Sequence, residues 1–446
     1  MAASRAKPKG MAQRGIVLIG LLALLVMGAL AFLVGQLQTA GMRRDQDLAT
    51  LQALAQAKDA LIAYAVSVDL SGTKRPGDLP CPDRDNDGKA GTTVPLVTSC
   101  GNAAGTTFQV RRLGRLPWLD LGLPDIRDAS GERLWYAVSS NFKENTRATT
   151  LNSDSAGTIT VRDANGNIIF DGSATTGVVA VIIAPGSPLM RQDGLQQDRS
   201  AANVNDPRHY LDNIASEDNA DFDEITTKTN GFFNGPVRNA VDPKVIVAND
   251  RLIVITREEI MAAMEKRVAA EVMACLTNYA AYNDGGAFNN GGRYPWPASL
   301  ATSAAGNYDD TDSTLFGRIP DLMPNTAATN AAMLYAWGSV PNCYVNGNWF
   351  KNNWREQVFY AVADAYKPGT GATSCLTPAN CLTVDSVTNK QVVVVMAGRK
   401  VGTQSRSSAG EKAQAAQYLE AENALVGTAF VAKSSASPFN DRVLYR

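Results

Sequence analysis

The sequence predicts an α+β protein in which one long helix leads into two similar units of helix and antiparallel sheet. Residues 16–34 form a run of nineteen residues with no charged or polar side chain. Apolar residues then recur at three- and four-residue steps between Leu48 and Ala65, the period of an amphipathic helix. Short motifs in the rest of the chain return after roughly two hundred residues, which indicates an internal repeat.

The apolar run predicts a transmembrane helix that continues into the amphipathic one. Nineteen helical residues rise about 28 Å at ~1.5 Å per residue, close to the roughly 30 Å of a bilayer core. Four basic residues and no acid precede the run, namely Arg5, Lys7, Lys9 and Arg14. Positive residues favour the cytoplasmic side. The residues therefore predict a single membrane crossing with the N-terminus cytoplasmic.

Three interpretations of this segment stay open on the residues alone. Ala29-Leu30-Ala31 has the small-x-small form of a signal-peptidase site, although the apolar run continues beyond it to Val34. The second interpretation is an uncleaved anchor, which requires only the length of the apolar run and the positive charge before it. In the third interpretation a short basic leader, residues 1–15, ends at Gly15 and the mature chain begins at Ile16.

The repeat preserves its order along the whole region after residue 34. Its paired motifs are Leu61-Ile-Ala-Tyr64-Ala65 with Leu276-Thr-Asn-Tyr279-Ala280, Leu79-Pro-Cys-Pro82 with Tyr294-Pro-Trp-Pro297, Gly114-Arg-Leu-Pro117 with Gly317-Arg-Ile-Pro320, Glu132–Val138 with Glu356–Val362, Tyr210-Leu211-Asp212 with Tyr418-Leu419-Glu420, and Asn249-Asp250-Arg251 with Asn440-Asp441-Arg442. Each copy is predicted to begin with a helix and to continue into strands, with Asn165-Gly166 as a hairpin turn. The predicted units are residues 35–256, which include the stalk helix, and residues 257–446.

These features resemble the prepilins of type IV pili and the pseudopilins of type II secretion, whose basic leader ends in Gly before an apolar helix. The Leu-Pro-Cys-Pro block, the block Gly114–Pro124 and the block Gly131–Tyr136 are also similar to those of a large group of prepilin-like proteins. The resemblance implies cleavage by prepilin peptidase between Gly15 and Ile16, N-methylation of Ile16, and two pilin-like heads on one stalk. The chain has Gly20 where the family usually has a Glu that pairs with a neighbouring subunit, a departure that the tip-most minor pseudopilin shares.

The function implied by the resemblance is that of a membrane-anchored structural subunit, a minor or tip component of a type IV pilus or type II secretion pseudopilus. Its implied partners are the inner membrane, prepilin peptidase and other pilin or pseudopilin subunits. The resemblance also implies that the membrane is a bacterial inner membrane and that the bulk of the chain is periplasmic or extracellular. The alternative is a non-polymerising adhesin or binding module held by an uncleaved anchor, for which Trp118, Trp296, Trp349 and Trp354 could stack on sugars.

Composition and motifs argue against two other classes of function. The 42 Lys and Arg residues balance 43 Asp and Glu residues, so no bulk charge attracts nucleic acid. No nucleophile elbow, zinc-protease or phosphate-loop motif occurs, and His209 is the single histidine. The sequence therefore predicts no enzyme and no small-molecule substrate.

The six cysteines fit an oxidising compartment. Fifteen pairings are possible in principle. Pairing within each copy is simplest, because Cys81 and Cys100 are the two cysteines of the first copy. In the second copy the short spacing of Cys375 and Cys381 suits a closed loop, which leaves Cys275 with Cys343. Zinc ligation is the competing interpretation, but Cys-x-x-Cys is absent.

One acidic segment matches the opening of a calcium loop. Asp83, Asp85 and Asp87 alternate before Gly88, and alternate carboxylates on a tight turn place hard oxygens around one point, as Ca²⁺ requires. The twelfth position of an EF-hand would be a bidentate Glu, and here it is Val94. The segment is therefore no EF-hand. A calcium loop and a solvated Asp-rich turn both stay open.

Overall fold

The computed structural model describes residues 44–71, 74–93, 96–97, 112–144, 150–222, 231–329, 332–369, 371, 373–375, 378–435 and 438–446. Within these ranges the helices are α1 (residues 44–66), α2 (Arg257–Ala281), α3 (Leu300–Ala304), α4 (Pro324–Thr329) and α5 (Ala409–Lys412). Short 3-10 turns lie at Ala201–Asn203, Pro207–His209, Trp337–Ser339, Asp364–Tyr366, Pro378–Asn380, Ala415–Gln417 and Ala421–Leu425, and a π-helical turn at Phe350–Trp354.

The strands are short and fall into several small sheets. In the first half they are β1 (Thr92–Thr93), β2 (Leu96–Val97), β3 (Leu113–Arg115), β4 (Trp135–Val138), β5 (Thr160–Arg162), β6 (Ile168–Phe170), β7 (Ala180–Ala184), β8 (Gly231–Phe233), β9 (Val237–Arg238), β10 (Ile246–Ala248) and β11 (Arg251–Ile255). In the second half they are β12 (Phe316–Arg318), β13 (Val358–Val362), β14 (Leu382–Val384), β15 (Val387–Lys390), β16 (Val392–Met396), β17 (Ala429–Phe430) and β18 (Arg442–Tyr445).

The two halves have the same sheet topology. Each contains a four-stranded antiparallel sheet, in the order β11-β7-β4-β3 and β12-β13-β16-β18. Each also contains a three-stranded sheet in which a hairpin pairs in parallel with a third strand, in the order β6-β5-β8 and β15-β14-β17. In chain order, the hairpin follows the second strand of each four-stranded sheet, which is β4 in the first half and β13 in the second. The prediction of antiparallel heads is therefore wrong for the three-stranded sheets, because each contains a parallel pair.

Helix α2 begins at a capping box, in which the Thr256 side chain accepts from the backbone N–H of Glu259 and the Glu259 carboxylate accepts from that of Thr256. This reciprocal arrangement satisfies two backbone donors that the first helical turn leaves free. Helix α1 buries Leu54, Leu61 and Ala65. Two of its predicted apolar positions, Leu48 and Leu51, are instead about half exposed, at 47% and 55%.

A single central core joins the two halves. It contains buried residues of α1 and α2 together with one face of each four-stranded sheet, for example Tyr136 and Tyr360. The opposite faces of the two sheets pack into separate outer cores, which contain Trp135 and Phe359 respectively. Successive residues of β4 and β13 thus alternate between the central and the outer cores, as strand geometry requires.

Polar contacts also cross between the halves. Lys58 of α1 forms an ion pair of 2.5 Å with Glu259. Asn353 Oδ1 accepts from Arg75 Nη1 and from the backbone N–H of Leu151, both at 3.0 Å. These contacts and the shared core make the halves one packed body, while the predicted unit bounds at residues 256 and 257 stay a prediction.

The predicted fold class is corrected here. The described part of the chain is a mixed α/β structure of several small sheets, and it holds no helix both long and apolar enough to cross a membrane. Helices α1 and α2 carry charged residues such as Asp47, Asp59 and Glu271, which lipid disfavours. The predicted span, residues 16–34, lies outside the described residues. The predictions of a transmembrane helix continuing into α1 and of a single-pass inner-membrane location are corrected accordingly.

Candidate functional site

The structure brings the three predicted metal ligands together in one loop. Oxygen atoms of Asp83, Asp85 and Asp87 all lie within 4.8 Å of one another. Asp83 is buried, and burial raises the pKa of its carboxyl to about 6. Its Oδ1 accepts from the backbone N–H groups of Asp85 at 3.1 Å and Asn86 at 2.7 Å, and its Oδ2 accepts from that of Gly88 at 2.7 Å. The Asp83 carboxylate thus organises the turn that carries it.

The loop is anchored to the first four-stranded sheet. Asp83 and Arg115 exchange two backbone hydrogen bonds, of 2.9 and 2.7 Å. In the second half Ala298 and Arg318 exchange the same pair, of 2.9 and 2.8 Å. The backbone arrangement is therefore common to both halves, whereas the carboxylates belong to the first half alone.

Calcium at this loop stays a prediction, and calcium titration tests it. If Asp83, Asp85 and Asp87 bind Ca²⁺, calcium at ~100 times Kd should add about 2.7 kcal/mol to the free energy of unfolding. Asp85→Asn should abolish the corresponding rise in melting temperature, because it removes one hard anionic ligand. The absence of any rise in the unchanged protein would leave the Asp-rich turn as the sole interpretation.

The prediction of disulfide bonds is confirmed. Cys275 pairs with Cys343 and Cys375 pairs with Cys381. Cys81 is also disulfide-bonded, and its predicted partner, Cys100, lies outside the described residues. The predicted processing residues, Gly15 and Ile16, lie outside them as well.

The tryptophans proposed to stack on sugars are mostly buried. Trp296, Trp349 and Trp354 lie in the interior, and Trp118 is partly buried against the central core. His209 is partly exposed, and its Nδ1 accepts from the backbone N–H of Asp198 at 3.0 Å. These positions support structural roles for the aromatic residues and for the histidine.

A buried arginine is held between two aromatic rings in the first half. The guanidinium of Arg115 lies 4.3 Å from the ring centre of Trp135 and 3.9 Å from that of Tyr210. It donates to the backbone oxygen of Arg133 at 2.9 Å. Burial lowers its pKa to about 10, so the arginine remains charged at neutral pH and is stabilised by the ring faces.

The second half repeats this cluster at the equivalent motif. Arg318 lies 5.0 Å from the ring centres of both Phe359 and Tyr418. Its guanidinium donates to Ser303 Oγ and to the backbone oxygen of Lys412, both at 2.9 Å. The repeated Gly-Arg motif therefore places one stacked arginine on the outer face of each four-stranded sheet.

A second repeated cluster is a pair of buried carboxyl groups. In the first half, Asp250 Oδ2 accepts from the backbone N–H of Asp212 at 2.8 Å and from Asn219 Nδ2 at 2.9 Å. Asp212 Oδ2 accepts from the backbone N–H of Asn249 at 2.6 Å. Both carboxyl groups are buried, and together they join β11 to the segment that follows Tyr210.

The second half contains the same pair, with a glutamate in place of one aspartate. Asp441 Oδ2 accepts from the backbone N–H of Glu420 and from Asn423 Nδ2, both at 3.0 Å. Glu420 Oε2 accepts from the backbone N–H of Asn440 at 2.9 Å. The two carboxyl groups lie close enough that Glu420 contributes to raising the pKa of Asp441.

Burial raises the pKa of both carboxyl groups in the first pair and of Asp441 in the second. The pKa of Asp441 rises to about 8, from burial first and then from the neighbouring Glu420. The pKa of Asp250 rises well above its usual value, from burial and then from Asp212. The folded chain therefore binds more protons than the unfolded chain between the ordinary value of 3.8 and the raised one, so stability falls as pH rises through that window.

The pH dependence should disappear when the buried carboxyl groups are replaced by groups that stay neutral. Asn at positions 250 and 441 keeps an accepting oxygen and carries no charge at any pH, as a protonated Asp does below its pKa. The unchanged protein should lose stability between about pH 5 and about pH 9, and Asp250→Asn with Asp441→Asn should flatten this loss. Urea unfolding at both pH values measures it. Glu422→Gln, an exposed change near Glu420, is the control; an equal flattening there would contradict the assignment.

In the sequence, the motifs that carry these clusters indicate only that the two copies align. Arg115 and Arg318 stand in the Gly-Arg motif, and Asp250 and Asp441 stand in the Asn-Asp-Arg motif. The signal that could have identified these residues is a charged side chain at the same place in both copies of the repeat.

The fold and the clusters define a duplicated helix-and-sheet protein. Its repeated polar groups form hydrogen bonds between segments of the same chain. No protein-family model, no curated protein and no solved structure matches this chain.

Proposed function

We propose that this chain is a pilin-like structural subunit, a minor or tip component of a type IV pilus or of a type II secretion pseudopilus. The observation that carries the proposal is the packing of a long helix with a four-stranded antiparallel sheet in each half. That is the arrangement which the resemblance to prepilins implies for a head domain.

The use of the buried polar groups supports a structural role over an enzymatic one. Arg318 donates to the chain's own carbonyl and hydroxyl oxygens, and Asp250 accepts from the chain's own amides. Groups engaged in this way hold neighbouring segments in place and are not free to transfer protons to a bound substrate. We therefore propose no enzymatic activity.

The predicted minor role follows from the size of the second half and from Gly20. The second half packs into the same core as the first, so it adds width beside the stalk that a packed fibre subunit would have to accommodate. The glycine also removes the acid that pairs with a neighbouring N-terminus in the family that this chain resembles. Both features favour a low-copy position at a tip or at the start of assembly.

Two measurements test the proposal. Mass spectrometry of the mature N-terminus should find N-methyl-isoleucine at position 16, the product of prepilin peptidase and its methylation. Quantitative mass spectrometry of sheared fibres should find the chain at far fewer copies than the main subunit. An intact Met1 would overturn the processing, and dominance of the chain in those fibres would overturn the tip position.

A further inference from the structure

A cavity of about 550 Å³ lies at the start of helix α2. Helix α2 forms one wall, and the turn at Gly398 with the entry to β18 forms another. Its charged lining residues are Arg257, Glu258, Glu265, Arg399, Lys433, Asp441 and Arg442. The cavity therefore contains four basic side chains and three acidic ones.

The three acidic side chains offset only part of this basic lining. Glu265 forms an ion pair with Arg442, with 2.8 Å between Oε2 and Nε. Asp441 belongs to the buried pair described above, where its Oδ2 accepts from the backbone N–H of Glu420 and from Asn423. Glu258 is 64% exposed, and its contact with Arg399 is long, at 3.5 Å, where charge-assisted hydrogen bonds usually measure about 2.8 Å. The cavity thus keeps an excess of positive charge.

Arg257 is the buried member of the lining. Its side chain is 7% exposed, and among the described residues it donates a single hydrogen bond, of 3.4 Å, to Glu258. A guanidinium has five N–H donors, and burying a charge with few partners is costly. Burial lowers the pKa of Arg257, the neighbouring Glu258 opposes this shift, and Arg399 adds to it. The first turn of a 25-residue helix adds partial positive charge at the same place.

The equivalent cavity of the first half shows what is particular to this one. It measures about 670 Å³ and lies beside the turn at Gly186 and the entry to β11. Its lining includes Arg251, which the repeat aligns with Arg442; Arg251 is 41% exposed and lies 3.7 Å from Asp47. The cavity thus recurs in both halves, while among the described residues a buried arginine at the start of the helix belongs to the second half.

We propose that the cavity at the start of α2 binds an oxyanion, a phosphate or carboxylate group, which receives hydrogen bonds from Arg257. The exposed Arg399 and Lys433 close over the ligand from the solvent side. This binding site goes beyond the proposed structural role and does not depend on it.

Isothermal titration of the purified full-length chain with inorganic phosphate, and separately with acetate, tests the proposal at constant ionic strength. Arg257→Gln should weaken binding by about tenfold to a hundredfold, the usual effect of losing a charge-assisted hydrogen bond. The matched control is Arg267→Gln. It removes the same charge from the same helix outside the cavity lining, where Arg267 pairs with Glu271 at 2.7 Å, and it should leave the affinity within about twofold.

Each outcome decides the proposal. Saturable binding of either probe that Arg257→Gln weakens and Arg267→Gln does not supports it, and the tighter probe identifies the group. No binding of either probe, or equal affinity in the two variants, overturns it. Should Arg257→Gln fail to fold, the exposed Lys433→Gln serves instead, with a loss of about threefold expected; unchanged affinity there overturns the proposal.

Discussion

Removing the disulfide between Cys275 and Cys343 is expected to lower the free energy of unfolding by about 4 kcal/mol. The bond closes a loop across a sequence separation of 68 residues. An open loop of that length gives the unfolded chain much additional conformational entropy. Alanine is the suitable replacement at both positions, because both cysteines lie in the central core and a serine hydroxyl would be buried there.

The second disulfide of the same half is the matched control. Cys375 and Cys381 are separated by only six positions, so the same relation predicts a loss of about 2 kcal/mol. Urea unfolding of the two double alanine variants compares them directly. A larger loss from the short loop than from the long one would show that loop entropy does not govern these bonds.

Leu61→Ala and Leu276→Ala are each expected to cost about 3 kcal/mol. The two leucines occupy equivalent places in α1 and α2, and both are fully buried in the central core. Because that core is shared, each substitution should shift one common unfolding transition. Differential scanning calorimetry measures the number of transitions and the shift of each.

The control for the leucine variants is Leu48→Ala, in α1 but about half exposed, where a change within about 0.5 kcal/mol is expected. Two separate transitions, with Leu61→Ala shifting one and Leu276→Ala shifting the other, would show that the halves unfold independently. That result would contradict the single packed body inferred from the shared core.

Local patterns in the sequence were good guides to local structure. The hairpin predicted at Asn165-Gly166 lies between β5 and β6, and Gly166 adopts a φ of +84°, which such a turn requires. The apolar run from Val178 to Ala184 contains β7, which is buried throughout. Turn and strand signals of this kind depend on neighbours in the chain, so sequence reading detects them.

Paired motifs also led to equivalent contacts. Tyr136 and Tyr360 stand at the same place in the two copies, and their hydroxyl groups donate to the backbone oxygens of Pro80 and Pro295, at 3.2 and 2.8 Å. The motifs themselves do not indicate which residues these tyrosines contact. Only the fold brings a proline of one segment beside a strand that lies more than fifty positions away.

The sequence by itself determined the repeat and the order of helix and strands in each copy, and it favoured the cysteine pairs that the second half forms. The tertiary structure alone decided that the two copies share one core, that Leu48 and Leu51 stay exposed, and that Asp212 meets Asp250 in a buried pair. It also corrected the membrane-spanning fold class. The physical reason is that burial and the pKa of a carboxyl group depend on distances between segments remote in sequence, whereas periodicity and turn chemistry are properties of adjacent residues.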